Sequence, residues 1–291
     1  MTAPLNVEEH WIKTYSDNVR LVAQQKESRL RPYVTEEEME GEVHFMDSYG
    51  AADMVRLQSR LQATPHTPIP HERRMVGANP YVFNEFVDPT DIRRILTDPT
   101  RRYTQVAAAG ASRQIDDILI DAFEAAVYIG KEGAGGTAVF DTTNVVGAAT
   151  AGLTVAKLNT AARILDENEV EDEDRIIVVT PKSLETLRNE EKATSADYAA
   201  VKALVNGEIN SFLGFKFVKC NRSGLRSSTT AHYAYFFHKQ GMGLAVAQEP
   251  TARVDQRPDM NYATQVWLGI DMGAVRLEEA RVGRIDVVVA A

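Results

Sequence analysis

The sequence predicts an α+β fold that carries a long extended excursion near its start, and three observations predict it. Helical periodicity recurs through the middle of the chain, in SRQIDDILIDAFEAAVYI, VAKLNTAARILDEN and the segment after Pro181. Short strand patterns separated by turn residues fill the chain from Gly214 onward. Between these and the N-terminus lies a stretch with prolines at 65, 68, 70 and 80, too dense for a helix or a central strand. With 291 residues, 44% hydrophobic and 25% charged, the chain has enough material for one large domain or two connected ones.

Taken in order, residues 4 to 31 read as an exposed amphipathic helix. Val7, Trp11, Tyr15, Val19 and Val22 recur at helical spacing, and Arg31-Pro32 ends the pattern. Two readings stand side by side: a helix packed on its own domain, or an arm docked on a neighbouring subunit. Residues 33 to 80 read as an extended excursion or long hairpin, a length that is unusual unless it works elsewhere. YVFNEFVD is a strand, and DPTDIRRILTDPT a short helix between two Asp-Pro breaks. Ser112 to Ile129 is the clearest helix, with Ile115, Ile118, Leu119, Ala122 and Ala126 on one face. Ser112 is its expected N-cap, Asp116 and Asp117 lie near its expected start, and Gly130 stops it.

GKEGAGGT follows as a turn, and 137 to 153 as strand plus loop. Thr154 caps the next helix, with Val155, Leu158, Ala161 and Leu165 on one face. The acidic run ENEVEDED leads to the strand RIIVV. Thr180-Pro181 then opens a helix as N-cap and first residue, and a further helix lies near 196 to 205. GFKFVKC, HYAYFFHK and GLAVAQE are short strands; two longer ones surround MNYATQVWLGIDMG and VGRIDVVVA.

The chemistry of the chain points away from catalysis. GKEGAGG lacks both the Gly-Lys-Ser/Thr ending of a phosphate loop and the spacing of a dinucleotide turn. The six histidines form no zinc pattern, and the acidic run lacks the glycine and spacing of a calcium loop, so no metal or cofactor is expected. Cys220 reads as a structural thiol; a lone cysteine forms no internal disulfide. No G-x-S-x-G elbow occurs, and no catalytic residue is assigned. The net charge of -9 argues against a dedicated nucleic-acid binder, though not against a protein that encloses nucleic acid without gripping it. No secretory signal is visible, and no apolar run approaches the roughly 18 residues of a membrane span. A soluble product made in a reducing cytoplasm, with no membrane partner, is the expectation.

The order of the segments resembles a known family. FVDPTDIRRILTDPTRRYTQVAAAGASRQIDDILIDAFEAA, with Arg113 to Asp116 as an Arg-x-x-Asp motif, looks like the entry to the spine helix of tailed-bacteriophage major capsid proteins. LTVAKLNTAARILDENEVEDEDRIIVVTPKSLETL, GEINSFLGFKFVKCN and AYFFHKQGMGLAVAQE with the strands that follow resemble that family's later blocks. The likeness covers residues 80 to 291 and rests on order and spacing. The fold is shared with encapsulins and the capsid floor of herpesviruses.

The resemblance implies an N-terminal arm over 1–34 and an extended β-loop over 35–80. It implies a peripheral domain over 81–149 and 255–272, with a spine helix at 112–129, and an axial domain over 150–254 and 273–291. It implies pentamers and hexamers closing an icosahedral shell around double-stranded DNA, bound without sequence specificity, in a virion assembled in the host bacterial cytoplasm. Trp11 and Tyr15 would anchor the arm, Arg73 and Arg74 would pair with acids of a neighbour, and Ile115, Ile118 and Leu119 would seat the spine helix. Lys13, Arg20, Lys26, Arg29 and Arg31 read as solvated charges rather than DNA contacts. Some relatives weld their shells through a lysine in the extended loop. Here no lysine occurs between Lys26 and Lys131, so a non-covalent shell is expected, braced by a separate cementing protein. The chain lacks room for a long scaffolding domain ahead of the arm, so a separate scaffolding protein is expected, and a portal completes the partners. Two rivals stay open: an encapsulin-like compartment, and a cytosolic hydrolase with a site built from distant residues.

Overall fold

The computed structural model describes residues 24–60, 62–64, 66–89, 100–147, 152–189, 211–228 and 230–289. Trp11 and Tyr15, most of the expected arm, the expected helix between the Asp-Pro breaks and that near 196 to 205 lie outside the described residues. Within them the fold is α+β, with three sheets and three α-helices.

The sheet strands are β1 (Thr35–Glu38), β2 (Val43–Tyr49), β3 (His71–Gly77), β4 (Asn79–Val87), β5 (Val127–Ile129), β6 (Gly136–Ala138) and β7 (Val145–Val146). They continue with β8 (Arg175–Val179), β9 (Ser211–Phe212), β10 (Phe215–Lys219), β11 (Ala231–His238), β12 (Met242–Arg257), β13 (Ala263–Arg276) and β14 (Val282–Val288). The helices are α1 (Thr100–Glu124), α2 (Val155–Glu167) and α3 (Pro181–Arg188).

The six-stranded sheet, ordered β7-β14-β11-β8-β10-β9, separates two cores. RIIVV shows how: every residue of β8 is buried, and alternate side chains leave opposite faces. Ile176 and Val178 join one core with α1; Ile177 and Val179 join the other with Leu158, Ala161 and Leu165 of α2 and Leu184 and Leu187 of α3. Tyr235 and Phe237 face the first, Ala234 and Phe236 the second. Each fully buried side chain of this size contributes about 2 kcal/mol. The N-caps read from sequence hold: Thr154 accepts the Lys157 N–H and Thr180 the Ser183 N–H.

A second sheet, β1-β12-β13-β4, lies on α1, whose Ile115, Ile118 and Leu119 share a core with Leu268, Ile270 and Met272. The third sheet, β2-β3-β5-β6, springs from its edge. There Met39, Met46, Val76 and Val127 pack on Ala245 and Val275. The approach is close: a Cβ on Gly273 would stand 2.1 Å from the carbonyl oxygen of Gly77.

Two expectations are corrected. The spine helix spans Thr100–Glu124 rather than 112–129. Ser112 is no cap; its hydroxyl donates to the Ala108 carbonyl one turn earlier, because the alanine-rich lead-in is itself helix. Asp116 and Asp117 therefore sit mid-helix, and VYI leaves the helix as β5, ahead of Gly130 at φ +83°. GLAVAQE is the first half of a 16-residue strand, β12. Pro250 hides the continuity in the sequence; it sits where the pairing with β13 shifts register between Gln248 and Thr251, a bulge that tolerates a missing N–H.

Candidate functional site: the assembly surfaces

The β2–β3 hairpin has two halves of opposite character. At its base Met46, Arg74 and Val76 are buried. Beyond Asp47 and Glu72 nearly every described residue is exposed, among them Tyr49, Val55, Leu57, Ile69 and a fully exposed Met54, at 102%. Arg56 and Arg60 make this tip basic against a single acid, Asp53.

The two arginines singled out from sequence part company here. Arg73 is half-exposed and forks onto Asp47 across the same hairpin, at 2.6 and 2.8 Å. Arg74, only 2% exposed, does not reach outward. It donates to the Arg276 carbonyl at 2.8 Å, to both Glu279 carboxylate oxygens and to Glu72 at 3.0 Å. This overturns its expected pairing with a neighbour's acid: the strand alternation turns it inward, where only an intrachain carboxylate can compensate the buried charge. Arg276, at 0% exposure, donates to Glu279 and to the carbonyls of Phe123 and Ala125, which α1 leaves unpaired at its end. Burial pushes the Glu279 carboxyl up, but hydrogen bonds and charge from Arg74 and Arg276 outweigh it and hold it below the usual carboxylate value. One carboxylate thus ties the hairpin base, the end of β13 and the end of α1.

A fully buried carboxylate, Asp116, fixes the start of the described chain. Asp116 accepts from Gln25 Nε2, Ser28 Oγ at 2.6 Å, and the backbone N–H groups of Arg29 and Leu30 at 3.0 and 3.1 Å. Arg113 donates to Gln24. The Arg-x-x-Asp pair therefore holds residues 24–30 along α1, and Leu30 and Val34 enter the same core as Ile115 and Leu119. Asp117 receives Arg222. Arg29 donates to the Lys219 carbonyl, and Arg31 to Glu36 and Glu249, so both are committed within the chain.

The β4–β13–β12 sheet carries a row that sequence reasoning missed. Register aligns Val82 with Gly269 and Thr251, Asn84 with Trp267 and Arg253, and Phe86 with Gln265 and Asp255. This face points away from α1. The Trp267 indole lies over Gly269, where a Cβ would be 2.5 Å from the ring, and Arg253 stands 6.0 Å from its centroid. Val82 is 60% exposed, and from Ala252 to Tyr262 the outer end of the β12–β13 ribbon is exposed throughout. The signal was present in YVFNEFV: both parities are apolar, the pattern of a strand covered on both faces.

Catalytic geometry is not found among the described residues. No group of three His, Cys, Asp or Glu could hold a metal ion there. Burial pushes the Cys220 thiol up to about 12, which keeps it protonated and a poor nucleophile. No helix there is long and apolar enough to cross a membrane.

Comparison with known proteins agrees with this geometry. No curated protein matches the chain. Solved structures do: the capsid of cyanophage P-SCSP1u at 17% identity and TM-score 0.73, covering 98% of this chain and 94% of that one. The capsid of Helicobacter pylori bacteriophage KHP30 matches at 8% identity and TM-score 0.74, covering 98% of each. The cyanophage Pam1 capsid matches at 12% identity and TM-score 0.73 over 100% of both chains. The family model described as phage capsid protein spans residues 7–289, and this chain belongs to that family.

Proposed function

We propose that the chain is the subunit that assembles as pentamers and hexamers into an icosahedral shell around the double-stranded DNA of a tailed phage. The observation that carries this is the hairpin tip. Met54, Val55, Leu57 and Ile69 extend into solvent on a base that is anchored by a buried ion cluster. Apolar side chains on a fixed projection gain about 25 cal/mol per Å² when another copy covers them. The row of exposed Val82 and Phe86 beside the half-buried Trp267 offers a second such surface. Closed symmetry repeats each contact around the shell, so modest contacts suffice.

In this reading 1–34 is the arm, 35–80 the extended loop, 81–149 with 255–272 the peripheral domain, and the remainder the axial domain. Trp11 and Tyr15 anchor the arm on a neighbour, and Arg73 remains the arginine able to meet a neighbour's acid. A scaffolding protein, a portal and a cementing protein complete the assembly in the host cytoplasm. The acidic balance disfavours general adhesion of DNA to the wall, while leaving room for local contacts. Electron microscopy of the expressed protein tests the proposal: rings or closed shells are expected, and a monodisperse monomer at high concentration contradicts it. The lysine-free stretch from 27 to 130 supports a non-covalent shell. Denaturing gels of mature particles should show one band at the monomer's mass, and a ladder would refute this.

A further inference from the structure

Where β8 and β10 end side by side, the fold leaves a cavity of about 520 Å³ lined by Thr180, Lys182, Asn221, Arg226 and His232. β8 and β10 run parallel, so the cavity lies outside their carboxyl ends, where open α/β sheets receive ligands. Its charge is one-sided. Lys182 and Arg226 line it, and no carboxylate does so among the described residues, in a chain whose net charge is -9. Neither cation has an ion-pair partner among the described residues. Asn221 accepts a hydrogen bond from Arg226 through its amide oxygen, which steadies the guanidinium and leaves the Asn221 NH₂ as a donor.

His232 is the built part of the site. It is 4% exposed, and Nδ1 lies 2.8 Å from Thr180 Oγ1. Thr180 Oγ1 accepts the Ser183 N–H and sits 2.8 Å from Ser183 Oγ. When Ser183 donates to Thr180 and Thr180 to Nδ1, the neutral imidazole keeps its proton on Nε2. Nε2 has no hydrogen-bond partner among the described residues, although the residue lines the cavity. Burial, then Arg226 and Lys182, push the imidazole pKa down, as a site of positive potential requires. Among the described residues, a ring nitrogen without a partner on a buried His232, two cations without a carboxylate and the Asn221 NH₂ describe a receptor for an oxyanion.

We propose that this cavity binds a phosphate group, received by His232 Nε2–H and the Asn221 amide and neutralised by Lys182 and Arg226. The group comes from free phosphate or from the backbone of enclosed DNA; the two present the same oxygens. Binding of free phosphate does not depend on shell formation, because the described lining residues all belong to one chain, whereas the DNA source rests on the proposed function.

The test is thermal denaturation of the full chain with sodium phosphate, with sodium chloride at equal ionic strength, and with a short DNA duplex. The comparison variant is Lys182→Gln with Arg226→Gln; both side chains are exposed, so the fold is retained. Phosphate is expected to raise the midpoint above chloride, with affinity weakened at least tenfold in the variant, as expected for loss of charge-assisted hydrogen bonds. His232→Asn should weaken it further. Protection by phosphate assigns the free ion, and protection by the duplex alone, lost in the variant, assigns the DNA backbone. No protection beyond chloride in either arm, or equal protection of the variant, overturns the proposal.

Discussion

The base and the tip of the β2–β3 hairpin are the same two strands of one sequence, yet the chain treats them oppositely. At the base, strand alternation turns Met46, Arg74 and Val76 inward, onto Ala245, Val275 and Glu279. Past Asp47 and Glu72 the same chain finds no core to enter, and Met54, Val55, Leu57 and Ile69 stay in water. The difference teaches that the loop is a projection anchored at its base rather than loosely attached. A fixed base lowers the entropy lost when the tip is captured. The expectation that the excursion over 33 to 80 works elsewhere thus divides. Among the described residues, Leu30, Val34, Met39 and the hairpin base are buried at home, and the tip is left over.

Breaking the base should have the largest effect. Glu279→Ala leaves Arg276 buried without a carboxylate and Arg74 with only the half-exposed Glu72, and about 3 kcal/mol of stability should be lost. A denaturant midpoint measured on unassembled chain checks this; an unchanged midpoint would mean the cluster does not anchor the hairpin. Acid should act in the same direction more weakly. A carboxyl whose folded value is depressed stabilises above its unfolded value of about 4.3, and that contribution fades as pH falls through the lower folded value. The wild type should therefore lose stability below about pH 4 by more than the Glu279→Ala variant does, as read in melting curves across pH. The tip should be nearly silent for the fold. Met54→Ser with Val55→Ser and Leu57→Ser removes little intrachain burial, so the midpoint should shift by less than about 0.5 kcal/mol while particle yield collapses. Arg73→Ala, on an exposed pair, should leave the midpoint unchanged.

Much of this was legible in the sequence. RIIVV, Thr154 and Thr180-Pro181 were read correctly because periodicity and caps are local signals. The start of α1 was not, because alanine and glycine carry no amphipathic pattern and Ser112 mimics a cap. Arg73 and Arg74 look alike in sequence; only the pleat, fixed by pairing Arg74 with Met46 and Ile129, decides which one is buried. The Asp116 clamp joins residues about ninety positions apart, and no spacing rule links them. The Trp267 face was visible as apolar residues of both parities, but its exposure depends on the absence of a covering layer, which sequence does not state.

The most direct test of the central claim is a reconstruction of the assembled particle at side-chain resolution. Met54, Val55, Leu57 and Ile69 should be covered by residues of a different copy, with Arg74 still on Glu279 of its own chain. A tip that remains in solvent in the closed shell, or one folded down onto its own subunit, would contradict the account.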